Sequence, residues 1–170
     1  MEFDNKLLKF VIRQKIMIWQ GRNDGESPLV QRVFQKVQLE NDFRNVKNKD
    51  FILHGFSVDE GVKRNSGRVG AAEAPNIIRK NMSNFPVTSP YFRLLDFGNI
   101  EIEGNNLELA QEKLADSVAN IISKSGKSIV LGGGHEVMFA HYSGLKKALP
   151  NKKIGIINID AHFDNRMLNP

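Results

Sequence analysis

Near the C-terminal end of this 170-residue chain, the run Asp160-Ala161-His162-Phe163-Asp164 sets carboxylate, imidazole and carboxylate at alternate positions. On an extended backbone, positions i, i+2 and i+4 share one face. Asp160, His162 and Asp164 can therefore converge while Ala161 and Phe163 point the other way. Burying two carboxylates and an imidazole so close together is costly unless a cation compensates them. The chemistry this spacing suits is the binding of a divalent metal ion. A second histidine, His135, stands in Gly132-Gly133-Gly134-His135-Glu136, where the glycines allow a tight turn. Alone, the triple glycine could cradle a phosphate at a helix N-terminus. It lacks, however, the Lys-Ser/Thr of a P-loop and the spacing of a dinucleotide fingerprint. Donors made of carboxylate and imidazole favour Mn²⁺, Fe²⁺ or a hydrolytic Zn²⁺ over a structural zinc site. With no cysteine in the chain, disulfides, thiolate ligands and a cysteine nucleophile are excluded.

These residues need strands to position them, and the pattern supplies strands. Lys153–Ile159 (KIGIINI) is a near-continuous apolar run leading directly into Asp160, and Ser128–Leu131 leads in the same way into the glycines. Phe51–Phe56 and Tyr91–Phe97 read as two further strands. Between them, Glu73–Lys80 opens a helix with Pro75 in its first turn, and Asn106–Lys124 and Glu136–Leu149 read as amphipathic helices. Strands buried on both faces and separated by helices of this length predict a three-layer α/β/α fold around a parallel sheet. The metal-ligand candidates then lie at the carboxyl ends of strands, where open α/β sheets place their ligands. Ahead of the sheet, Lys6–Trp19 and Leu29–Leu39 read as helices around a turn-rich break at 21–28. Residues 1–50 are thus expected to form a helical extension packed on the core domain of 51–170. Ser57–Ala72 reads as a long polar loop dotted with glycine.

Composition sets outer limits. Hydrophobic residues make up 41% and charged residues 25%, an ordinary globular balance. The formal net charge of +5 is spread along the chain, which argues against a nucleic-acid or membrane partner. No apolar run approaches the roughly 20 residues that cross a bilayer. The first ten residues carry acids and no leader pattern, so a cytoplasmic location is expected.

The motifs GGGHE and DAHFD resemble the Gly-Gly-x-His and Asp-Ala-His-x-Asp motifs of the ureohydrolases, the arginase/agmatinase/formimidoylglutamase superfamily. The stretch GFSVDEGVKRNSGRVGAAEAPNIIR resembles that family's first strand, active-site loop and helix start. WQGRND at Trp19–Asp24 resembles the formimidoylglutamases in particular. The resemblance implies an arginase-like fold and two Mn²⁺ ions. His135 and Asp164 would hold one ion, His162 the other, and Asp160 would bridge both. No catalytic side chain is implied beyond the hydroxide that the metals generate. Arginases carry asparagine two residues beyond the last aspartate. Here Arg166 stands in that place, as it does in formimidoylglutamases, and a guanidinium can pair bidentately with a substrate carboxylate. Formimidoylglutamate has two carboxylates and no guanidinium, so Arg166 favours it over arginine or agmatine. Arg64 and Arg68 are further candidate carboxylate contacts.

The family's second metal motif, an Asp-x-Asp on a later strand, has no counterpart in these 170 residues. The expectation is thus a ureohydrolase half, cut after about half of the sheet and bearing four of six ligands. The intact enzyme, expected to be a homo-oligomer, would hydrolyse a small-molecule amidine, N-formimidoyl-L-glutamate, to glutamate and formamide in histidine breakdown. Agmatinase or arginase activity is the alternative within the class. The rival outside it is a catalytically inactive fragment.

Overall fold

A computed structural model of the chain describes residues 18–89 and 91–162. Its four strands are β1 (Val37–Leu39), β2 (Phe51–Ser57), β3 (Leu94–Glu101) and β4 (Lys127–Leu131). They form one sheet in the order β1-β3-β2-β4, and every pairing is parallel. The helices are α1 (Val33–Lys36), α2 (Glu60–Arg64), α3 (Ala74–Met82), α4 (Leu107–Ser123) and α5 (Val137–Ala148). β2, flanked by β3 and β4, is buried from Ile52 to Phe56. That is why its sequence is apolar without alternation.

Successive β2 residues feed opposite layers. Ile52 and Phe56 pack with Leu114, Val118 and Ile121 of α4, and Leu53 packs with Trp19, Val33 and Ile78 on the other side. α4 earns its place by spacing: Leu107, Ala110, Leu114, Val118 and Ile121 fall on one buried stripe. Its N-terminus is capped by the Asn106 side chain, which accepts from the Leu109 amide at 3.0 Å. α5 lies against α4 through Ala140 and Gly144. With α3 on the opposite face, the fold is the three-layer α/β/α arrangement expected.

Three expectations for the elements need correcting. Leu29–Leu39 is not a helix: a single turn spans Val33–Lys36, after which the chain extends and Val37–Leu39 pairs with Leu94–Asp96. Sheet hydrogen bonds there override a helical apolar spacing, and the sheet draws in residues ahead of 51. Ser57–Ala72 is not wholly loop, because α2 and a 3₁₀ turn at Ala71–Glu73 interrupt it. Lys153–Ile159, finally, is not a strand, and Ile157 and Ile159 are 91% and 96% exposed. An apolar strand needs a sheet neighbour and cover on both faces. Among the described residues this run has neither. The helix expected at Lys6–Trp19 falls outside the described residues as far as Met17.

One polar cluster is embedded in the core. Asp96 of β3 accepts from the Trp19 indole at 2.7 Å and from Arg79 of α3 at 2.9 and 2.8 Å. Arg79 also donates to the Gly98 carbonyl and to Asn99. β3 carries an irregularity here: Leu53 pairs with Asp96, but Gly55 pairs with Asn99. The extra residue makes a bulge in which Gly98 takes φ +75°. The guanidinium donates to the Gly98 carbonyl and the Asp96 carboxylate accepts from the Gly98 amide, so both polar groups of that glycine are satisfied.

Candidate functional site

β4 ends at Leu131, and the next two residues reverse the chain with φ +61° at Gly132 and +87° at Gly133. The Gly134 amide then donates to the Val58 carbonyl at 2.9 Å, tying the end of β4 to the segment that follows β2. A Cβ on Gly133 would lie 2.5 Å from the Phe56 carbonyl oxygen and 3.0 Å from that of Val58. Glycine is therefore required both for its backbone angle and for room. Gly133→Ala is expected to cost about 1–3 kcal/mol from backbone strain alone, before the clash. Urea unfolding would measure this, with Gly104→Ala (φ +60°, nothing within 4 Å) as a milder control.

This turn delivers His135 to the surface at the start of α5. Its Nδ1 lies 3.9 Å from a carboxylate oxygen of Asp160. The other Asp160 oxygen lies 3.5 Å from Nδ1 of His162 and accepts from the His162 backbone amide at 2.8 Å. Asp160 thus sits between two imidazoles that enter from separate parts of the chain. The amide bond from His162 holds its carboxyl below the ordinary aspartate range. Desolvation opposes this, and the two neighbouring imidazoles reinforce it.

Residues 160–162 form a bend, so His162 reaches Asp160 through a local turn and not along an extended strand. Asp164 and Arg166 lie outside the described residues. In kind, two imidazoles and an ionised carboxylate suit a divalent cation of the Mn²⁺, Fe²⁺ or Zn²⁺ type. In arrangement the set is open: among the described residues no three such side chains converge into a ready metal-binding group.

The loop after β2 forms the neighbouring wall. Asp59 accepts from the amides of Gly70 and Ala72, closing the loop at its base. Glu136 accepts from the Gly61 amide at 3.0 Å, and its own carbonyl accepts from Gln111 of α4. Arg64 pairs with Glu108, Glu60 and the Asn105 carbonyl. Its guanidinium is thereby committed to tying α2 to α4. Arg68 lies exposed near the loop tip, and among the described residues no ion pair engages it. Sequence alone marks neither Asp59 nor Glu136 as part of the site. The available signal was a carboxylate beside a glycine-rich stretch, where free amides collect.

His54 is buried in β2 with Nδ1 3.2 Å from the Ser117 hydroxyl, and Trp19 is buried against β3; both belong to the core. His141 is partly buried on α5, which pushes its pKa down. Among the described residues no helix is long and apolar enough to cross a membrane.

Known proteins resemble this arrangement. A family model described as the arginase family matches residues 49–169. A formimidoylglutamase from Photorhabdus laumondii is 42% identical over 151 residues, covering 88% of this chain and 48% of the relative. One from Salmonella paratyphi C is 44% identical over the same coverage. The chain spans about half the length of the curated relatives it matches. Among solved structures, Trypanosoma cruzi formiminoglutamase with Mn²⁺ superposes with a TM-score of 0.63 at 31% identity. That match covers 69% of this chain and 41% of that one.

Proposed function

The chain belongs to the arginase family, and on that premise we propose that it carries part of the active site of a manganese-dependent formimidoylglutamase. The reaction is hydrolysis of N-formimidoyl-L-glutamate to L-glutamate and formamide, a step of histidine breakdown. The observation that carries this reading is the carboxylate of Asp160 reached by both His135 and His162. Similarity to formimidoylglutamases over 88% of the chain supports the substrate. We propose that His135, Asp160, His162 and Asp164 would hold the manganese. Manganese, when bound, acidifies coordinated water and so supplies hydroxide near neutral pH. The chain's own groups do the rest of what can be derived. Asp160, its pKa lowered by the bond from the His162 amide, faces Nδ1 of both imidazoles. The loop closed by Asp59 walls the site beside His135. We also propose a cytoplasmic, homo-oligomeric enzyme acting on a small amidine, with neither nucleic acid nor membrane as partner.

Arg166 sets the specificity in this reading, because a guanidinium pairs with a substrate carboxylate and repels the guanidinium of arginine or agmatine. Arg68, which no ion pair engages among the described residues, is the proposed second carboxylate contact. Arg64 is the weaker candidate of the two, since Glu108 and Glu60 engage it. The test uses this chain joined to the C-terminal half of a curated relative. Arg166→Asn is expected to lower kcat/KM for formimidoylglutamate by about 1.5–3 kcal/mol, roughly tenfold to a hundredfold. Manganese affinity should be unchanged. Undiminished kcat/KM would remove Arg166 from this role, and agmatine turnover by the joined protein would replace the substrate assignment.

A further inference from the structure

The two halves of the site wall come from segments 75 residues apart, and one side chain joins them. Glu136, half-buried and next to His135, opens α5, and its carboxylate accepts from the Gly61 amide at 3.0 Å. Gly61 lies in α2, inside the loop that Asp59 closes. The space around this contact is tight: a Cβ on Gly61 would meet the Glu136 carboxyl carbon at 2.6 Å. A Cβ on Gly134 would collide with the same carboxylate. Glycines on both sides therefore leave a slot that the carboxylate fills. Two further bonds fix the glutamate's own backbone. Its carbonyl accepts from Gln111 of α4, and the preceding Gly134 amide donates to the Val58 carbonyl.

We propose that Glu136 is a positioning residue, a clip that holds the 58–72 loop against the turn bearing His135 and so fixes where that imidazole stands. Its reach matters more than its charge. A shorter carboxylate cannot span the slot, whereas an amide of the same length keeps the accepting oxygen in place. The anchor is a backbone amide, and a Cβ at Gly61 would displace the carboxylate that it holds. The clip thus depends on the length of the glutamate and on the bare backbone of the glycine facing it. The proposal builds on His135 being a site residue, yet its consequences can be read without metal or turnover.

The experiment is solution NMR on the full 170-residue chain, wild type and the variants Glu136→Gln, Glu136→Asp and Glu136→Ala. It reads hydrogen exchange at the Gly61 amide and the ring ¹H–¹⁵N signals of His135. Loss of a hydrogen bond to a charged acceptor should speed Gly61 exchange by about tenfold or more in the Ala and Asp variants. The His135 ring signals should move in those two and return toward wild type in Glu136→Gln. Unchanged Gly61 exchange in both short variants would overturn the clip. Faster exchange with an unmoved His135 ring would overturn its positioning role. Should Glu136→Ala not fold, the Asp and Gln variants carry the comparison. A parallel Mn²⁺ titration of the chain joined to the C-terminal half of a relative, read by loss of the free-ion EPR signal, addresses the metal assignment separately. Its failure would sink that assignment and leave the outcome at Gly61 and His135 to decide the clip.

Discussion

Arg79→Ala is expected to destabilise the chain by about 3–5 kcal/mol, the range for removing one partner of a buried ion pair. Arg79 and Asp96 are 1% and 0% exposed, so no solvent stands ready to replace the guanidinium. Four of its hydrogen bonds end on β3, two at Asp96, one at Gly98 and one at Asn99. Losing them strands a buried carboxylate and unpins the bulge that sets the register between β2 and β3. In a chain of this size such a loss lowers the midpoint of thermal unfolding by roughly 10 °C or more. Circular dichroism melts would show it. A loss under about 1 kcal/mol would mean that the cluster is well solvated, against its burial.

The same cluster predicts a pH dependence. Burial pushes the Asp96 carboxyl up, but the Arg79 charge, the Arg79 and Trp19 hydrogen bonds and the Gly98 amide outweigh it. The pKa lies below the ordinary aspartate value of 3.8. A carboxyl with a depressed folded pKa contributes stability that is present above its unfolded value and is lost as pH falls through the folded one. Wild type should therefore lose this contribution below pH 3.8, and Arg79→Ala should show a smaller acid-dependent drop over the same window.

The parts of the fold that could be read from sequence are those whose apolar pattern is complete within one segment. β2, β4 and α4 announce themselves because each is apolar on every face it buries, and Asn106 marks where α4 begins. β1 could not be read: three residues, Val37-Gln38-Leu39, become a strand only because β3 offers an edge 55 residues later. The Lys153–Ile159 run fails in the opposite sense. Its composition is that of a doubly buried strand, and composition is silent about whether neighbours are present to bury it. At the site, residue type points to His135, Asp160 and His162; the structure sets Asp160 3.9 Å from one imidazole and 3.5 Å from the other, without closing them into a metal-binding group. Spacing suggested an extended ladder of ligands, whereas the backbone bends so that the His162 amide caps Asp160. Glu136 and Asp59 were overlooked because their partners are backbone amides, which the sequence does not display. Arg64 and Arg68 read alike in sequence, yet Glu108, 44 residues away, engages Arg64.

By itself, the 170-residue chain is expected to release no measurable formamide from formimidoylglutamate, even with excess Mn²⁺. The three described site groups meet only pairwise about Asp160, and His162 is largely open to water. A site so exposed gives each donor freedom to move, and a misplacement of about 1 Å can cost roughly a hundredfold in rate. Solvent access also weakens every electrostatic interaction the chemistry depends on. The segment that should hold Asp160 adds to this. Ile156, Ile157 and Ile159 stand 57%, 91% and 96% exposed where a buried strand would fix the residues that follow. Covering them would bring both rigidity and apolar burial, at about 25 cal/mol per Å². The relatives are about twice as long as this chain, so a C-terminal half from one of them is the natural cover to test. The assay compares the chain alone, the chain mixed with that separately expressed half, and the two joined in one polypeptide. Formamide is expected from the joined form, and from the mixture if the halves associate. Formamide release by the chain alone would show that the pairwise cluster already suffices, and the argument from its openness would fail.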